Sequence, residues 1–184
     1  MNKSYVFLAD GFEEIEAIAT VDILRRAGIE VDTVSINKSK IAVGAHGVPV
    51  QADHLLDDVK GCAAEWLICP GGLPGATNLA ACETLVNMLT RHHASGGRLA
   101  AICASPAFVF GAIGLLDGVN ATCYPGCEGA APGVEFTDSA VEVSEQIITG
   151  RGPGYTMQFA LAIIEATIGT EAATKVADGL LLTE

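Results

Sequence analysis

Hydrophobic positions along the chain follow two alternating spacings. Residues 3–9, KSYVFLA, make a short apolar run that ends at Asp10-Gly11, a strand closed by a turn signal. Between residues 13 and 27 the spacing lengthens: Ile15, Ile18, Ala19, Ile23 and Leu24 recur at helical intervals, and Gly28 stops the helix. Residues 29–36 return to strand alternation. Residues 40–53, which contain Gly44 and Gly47, have the pattern of an irregular hairpin or bulged excursion. WLIC, residues 66–69, is a continuous apolar strand ended by Pro70-Gly71-Gly72. The pattern then predicts a helix over 79–94, a strand over 99–102, a helix over 105–113 and a further strand over 119–123. Residues 140–143 and 146–149 form a predicted hairpin, and 155–168 a strongly apolar helix.

Apolar strands that do not alternate, separated by helices, imply an α/β fold with a parallel sheet covered on both faces. In such sheets, sites form beyond the carboxyl ends of the strands. That rule gathers the loops after residues 9, 69 and 102 at one edge, where residues 10–16, 70–75 and Cys103 are expected to meet. No internal repeat, linker or low-complexity stretch interrupts the chain, so a single domain over residues 1–184 is expected.

Composition narrows the class. A chain of 184 residues is long enough to bury a proper core, and with half its residues hydrophobic and 17% charged it is not a disordered segment. Ten basic residues against 22 acidic ones give a net charge of −12, which argues against nucleic acid as a partner. No apolar run reaches the roughly 18 residues of a membrane-spanning helix, and no basic n-region with a cleavage site is visible at the start. A cytoplasmic chain away from membranes is expected. Six cysteines, at 62, 69, 82, 103, 123 and 127, then read as thiols rather than a disulfide framework. Cys123 and Cys127 form a C-x3-C without a following histidine pair, so no metal is expected.

Three loops carry candidate chemistry. In RLAAICASPA, residues 98–107, Cys103 sits between a strand and a helix start. The helix N-terminus there offers N–H groups and partial positive charge, which favour a thiolate, and a sharp strand-to-helix turn exposes the side chain as in a nucleophile elbow. The competing reading is a buried, inert thiol. In CPGGLPGATN, residues 69–78, successive glycines leave backbone N–H groups uncovered, so Gly72 is a candidate oxyanion donor; the alternative is a plain strand-to-helix turn. In DGFEEIEA, residues 10–17, Glu13 and Glu14 suit a helix start through the macrodipole alone. Glu16 lies one turn in, between Ile15 and Ala17. Pointing inward, its carboxyl would be neutralised by burial and donate a hydrogen bond to a thiolate at Cys103.

Taken together, ADGFEEIEA, CPGG, AAICASP and GRGPGYTMQFALAIIEA resemble the ThiJ/PfpI superfamily, and within it the Parkinson's-associated protein-deglycase branch. The four blocks span nearly the whole chain in the family's order. The resemblance implies a flavodoxin-like α/β sandwich and a homodimer. It implies Cys103 as nucleophile, Glu16 as its acidic partner, and the N–H groups of Gly72 and Ala104 as oxyanion hole. It further implies glyoxalase-like or deglycase-like action on α-oxoaldehydes, a small carbonyl substrate or a glycated adduct, without a cofactor. Other members are oxidative-stress proteins whose cysteine becomes a sulfinic acid, or chaperones. Older family names refer to an intracellular protease/amidase.

The chain departs from the family in its histidines. Where the branch carries histidine after the elbow helix this chain has Tyr124, and where the peptidases carry it beside the cysteine this chain has Ala104. A phenol, with a reference pKa of about 10, is a poor general base but a capable hydrogen-bond donor. A Cys–His amidase is therefore disfavoured, because peptide cleavage needs acid catalysis at the leaving amine. Of the four histidines, His46 in the glycine-rich excursion is the candidate for the mouth of the site, against an exposed loop histidine. Arg151, in GRGPG, is a candidate for the site or a dimer contact, against a solvated arginine. Cys123 and Cys127 flank Tyr124 and are the candidates for a resolving disulfide with Cys103. Two readings stand apart from the enzyme: a non-enzymatic redox sensor and a chaperone.

Overall fold

The computed structural model describes residues 2–182. Strand β1 (Ser4–Leu8) leads into helix α1 (Glu14–Arg26), then β2 (Val31–Ser35), a hairpin of β3 (Ile41–Val43) and β4 (Pro49–Gln51), β5 (His54–Leu55) and the single turn α2 (Leu56–Val59). Next come β6 (Trp66–Cys69), α3 (Gly75–Ala81), α4 (Glu83–Ala94) and β7 (Arg98–Ile102). The short pair β8 (Ala121–Thr122) and β9 (Phe136–Thr137) precedes β10 (Val141–Ser144), β11 (Ile147–Gly150), α5 (Thr156–Ile168) and α6 (Thr170–Gly179).

The main sheet has seven strands in the order β10-β11-β7-β6-β1-β2-β5, and only β10 runs antiparallel. This is the flavodoxin-like α/β sandwich. Why β1 is continuously apolar is visible in its two faces. Val6 and Leu8 pack with Ala17, Val21 and Leu24 of α1, with Phe159 and Ile163 of α5, and with Val176 of α6. Tyr5 and Phe7 enter the opposite core with Leu79 of α3, Leu85 and Leu89 of α4, and Leu56 of α2. A strand covered on both sides has no polar face to alternate with.

The chain moves outward from β1 through β2 on one side and resumes at β6 on the other. The topological switch point therefore lies between β1 and β6, the place where open α/β sheets hold their sites.

Several predicted elements take a different form. The helix predicted over 79–94 is two helices, because Cys82 adopts an extended conformation (φ −84°, ψ 93°) between α3 and α4. The predicted helix over 105–113 is a π-helical turn at Pro106–Phe110 followed by a 3-10 turn at Gly111–Ile113. Gly111 there lies so near Ala131 that an added Cβ would sit 2.4 Å from the alanine methyl. The strand predicted over 119–123 shrinks to β8, which pairs with β9 outside the main sheet. Helix α6 was outside the predicted elements. Its buried face is Ala173, Val176 and Ala177, small residues that leave little hydropathy signal. The hairpin pattern over 140–149 appears as β10 and β11.

Candidate active site

Beyond the carboxyl ends of β1, β6 and β7, three loops converge as strand order requires. The β7 ladder runs one residue past Ile102, with the Cys103 N–H donating to the Gly150 carbonyl at 2.8 Å. Cys103 then turns sharply, with φ at +65°, a conformation that non-glycine residues seldom take. Backbone strain of this kind is held only where surrounding contacts over-determine it, and it gathers at functional sites. Here the contacts are specific. The Cys103 carbonyl accepts from the Tyr124 N–H at 2.8 Å, and the buried Ser105 hydroxyl donates to the Pro70 carbonyl at 2.5 Å. The second bond ties the elbow to the loop after β6.

Glu16 is completely buried. Its Oε2 accepts the Gly71 N–H at 2.7 Å, while Oε1 has no nitrogen or oxygen partner and the carboxyl faces the Cys103 sulfur. The N–H groups of Gly72 and Ala104 are directed at that sulfur. Burial raises the Glu16 carboxyl to about 7, against opposing hydrogen bonds from Cys103 and Gly71. Burial also pushes the Cys103 thiol up, as does a charged Glu16, whereas the Gly72 and Ala104 N–H groups pull it down.

The two groups titrate as a pair. When Glu16 holds the proton its charge vanishes, and its O–H donates to the sulfur, so the contribution that opposes a thiolate becomes one that favours it. The two one-proton states, thiol with carboxylate and thiolate with carboxylic acid, differ by the position of that proton between adjacent atoms.

Glycine at 71 is a steric requirement. A Cβ there would stand 2.6 Å from the Cys103 Cβ, 2.8 Å from Glu16 Oε2 and 2.9 Å from the Ile102 carbonyl. Gly71→Ala is expected to push the loop off the pair and slow alkylation of Cys103 by about a hundredfold, the scale of a 1 Å misplacement in a site. Intact-mass kinetics with iodoacetamide measure the rate. Gly72 is equally confined, with φ at +86° and the Gly11 carbonyl and Glu13 nitrogen 2.5 Å from where a Cβ would stand.

The helix that delivers Glu16 is capped by Glu13, whose Oε2 accepts the Glu16 N–H at 2.8 Å. Glu13 thus fixes the first turn of α1, a role more specific than a dipole contact. Glu14 holds the β3–β4 hairpin: its Oε1 accepts the His46 N–H at 2.7 Å, and its Oε2 meets His46 Nδ1 at 2.8 Å. The hydrogen bond and charge of Glu14 raise the His46 imidazole.

The site residues named from the sequence fall into two groups. Cys103, Glu16, Gly72 and Ala104 come together. His46 is exposed and engaged with Glu14 rather than with Cys103. Arg151 donates to the carbonyl and to the carboxylate of Asp138. Tyr124 stands beside the elbow with an exposed ring. His54 meets Asp32, and His92 and His93 lie in the last turn of α4, so no histidine partners Cys103. All six cysteines are free thiols, Cys123 and Cys127 being buried. The sequence places Gly71, Ser105 and Glu13 near the site, and the structure adds their parts: the Gly71 N–H on Glu16, the Ser105 hydroxyl on the Pro70 carbonyl and the Glu13 cap. The repeated glycine after β6 and a glutamate three residues before Glu16 were the available signals.

A model of the DJ-1/PfpI family matches residues 2–166. The chain belongs to the DJ-1/PfpI family. It is similar to Protein DJ-1 homolog B of Arabidopsis thaliana, at 38% identity over 181 residues, covering 98% of this chain and 41% of that protein. The chain thus spans less than half the length of this plant relative. It is 37% identical over 166 residues to the Caenorhabditis elegans protein named glutathione-independent glyoxalase DJR-1.2, covering 86% of this chain and 84% of that one. Among solved structures, oxidized Toxoplasma gondii DJ-1 superimposes with a TM-score of 0.95 at 40% identity, covering 98% of both chains.

Proposed function

We infer that this protein is a cysteine-dependent enzyme of the glyoxalase or deglycase type, acting on α-oxoaldehydes or their adducts. The observation that carries this reading is the Cys103 sulfur set between a buried carboxyl and two backbone N–H groups. The name of the C. elegans relative supports it. In the proposed reaction the Cys103 sulfur forms a bond to the aldehyde carbon. The carbonyl π electrons move to oxygen, which is stabilised by the Gly72 and Ala104 N–H groups and takes a proton from Glu16. The Glu16 carboxylate then removes the hydrogen from C1, and a proton is returned at C2. C1 is oxidised to a thioester while C2 is reduced to an alcohol. Water cleaves the thioester, releasing a 2-hydroxy acid and restoring the thiol. The overall change adds one water to the oxoaldehyde.

A homodimer belongs to the same reading, and Ile15 and Ile18, exposed on α1, supply an apolar face for it. The test is direct: methylglyoxal is supplied without glutathione, and lactate is measured. Absence of lactate at any pH from 5 to 9 would remove the activity.

A second reading, redox sensing, has its own support. Donors that hold an oxyanion also hold the oxygens of a sulfinate, and the T. gondii relative is described as oxidized. Mild peroxide is then expected to add oxygen mass at Cys103 before Cys62 or Cys82; equal oxidation of the three would eliminate this reading. The amidase reading has no support, since no histidine partners Cys103.

A further inference from the structure

Beside the elbow is a cavity of about 390 Å³ walled by Tyr124, Pro125, Arg151, Gly152, Pro153 and Tyr155. Its volume falls in the range of small-molecule sites. Both walls are fastened to the nucleophile's own peptide units. Tyr124 donates its N–H to the Cys103 carbonyl, and Gly150, the neighbour of Arg151, accepts the Cys103 N–H, each at 2.8 Å. The Tyr124 ring lies against Gly152, where a Cβ would stand 3.0 Å from the ring carbon Cδ2.

The wall chemistry limits the occupant. Two phenol rings and two proline rings supply flat apolar surface, and the tyrosines are 47% and 39% exposed, leaving area for a further group to cover. Arg151 is the one charged wall residue, and its guanidinium is already committed to the carbonyl and carboxylate of Asp138. An anionic ligand would have to compete with Asp138, whereas a neutral planar ring needs no charge partner. Ring contacts with tyrosine add to the gain from area removed from water.

We propose that this cavity is the subsite for the group carried by the reacting carbonyl, and that it selects a neutral aryl group over a methyl group. The proposal rests on the reading of Cys103 as a nucleophile toward carbonyl compounds. Tyr124 is its specificity-determining residue. Tyr124 thereby serves recognition through its ring.

Two measurements separate the subsite from the activity. In the first, Cys103 is alkylated by 2-bromoacetophenone and by bromoacetone, the thiolate displacing bromide as a C–S bond replaces the C–Br bond. Rates at Cys103 are read by peptide mass and normalised to those of a free cysteine thiol. The normalised preference for the aryl reagent is expected to be about tenfold, the scale of discrimination by a hydrophobic pocket. It should fall toward unity in Tyr124→Ala and persist in Tyr124→Phe, with circular dichroism confirming the fold of both. In the second, kcat/KM for phenylglyoxal and methylglyoxal is expected to show the same preference and the same dependence on Tyr124.

An aryl preference in alkylation without turnover of either aldehyde supports the subsite and removes the proposed activity. Equal normalised alkylation rates, or a preference that survives Tyr124→Ala, overturn the subsite while leaving any measured turnover standing.

Discussion

Cys103→Ser is expected to lower methylglyoxal turnover by at least about a thousandfold, as loss of a covalent nucleophile does. The site contains no histidine to activate a hydroxyl, and Glu16 is placed to hydrogen-bond a thiolate, not to deprotonate an alcohol. The substitution should leave the fold nearly unchanged. Serine keeps the size of the side chain, and the elbow is held by main-chain bonds, Cys103 N–H to Gly150 and Tyr124 N–H to Cys103, which do not involve the sulfur. A denaturant midpoint close to that of the unmodified protein, together with lost lactate production, is the expected pair of results. Retained turnover would remove Cys103 from the chemistry.

The second large effect belongs to Glu16. Glu16→Gln keeps the volume and can still accept from Gly71, but it cannot pass a proton, and turnover is expected to fall by about 10²–10⁴-fold. The same variant should remove a pH dependence of stability. In the folded protein the carboxyl titrates at about 7 instead of 4.5, so between those values the folded state holds a proton that the unfolded chain has lost. Stability associated with this group is therefore full below pH 4.5 and declines as pH rises through about 7. The shift corresponds to about 3 kcal/mol. Glutamine does not titrate, so Glu16→Gln should lose that part of the decline and gain on the unmodified protein between pH 4.5 and 7. Urea midpoints at pH 4, 6 and 8 measure the difference. Parallel curves for the two proteins would show that the carboxyl titrates normally and that burial does not protonate it.

Much of the architecture was legible because the strongest signals are local. The continuous apolar strands at residues 4–8, 66–69 and 98–102 have no alternation to misread; the loops after the first two are marked by glycine and the turn after the third by Pro106. Legibility failed where a local pattern continues but the backbone does not. Ala81, Cys82 and Glu83 carry no breaker residue, yet the chain turns out of helix at Cys82. Helix α6 was invisible because its buried face is built from alanine and one valine.

The candidate site divides in the same way. Cys103 was conspicuous at the end of β7, and Glu16 was separable from Glu13 and Glu14 by its place in the helix. The bond from Gly71 to Glu16, the Ser105 clasp on Pro70 and the engagement of His46 with Glu14 join residues 32 to 55 positions apart. Periodicity carries no information about such pairs.

The sequence by itself determined the α/β class, the elements bearing the loops and the residue types available for chemistry, because these follow from hydropathy spacing and local turn propensity. The tertiary structure alone decided which of those residues meet. Sheet order β7-β6-β1 brings three separate loops to one edge, burial there raises the Glu16 carboxyl, and the positive φ of Cys103 turns its sulfur toward it. Protonation and strain are properties of an environment, and that environment exists only once the strands are assembled.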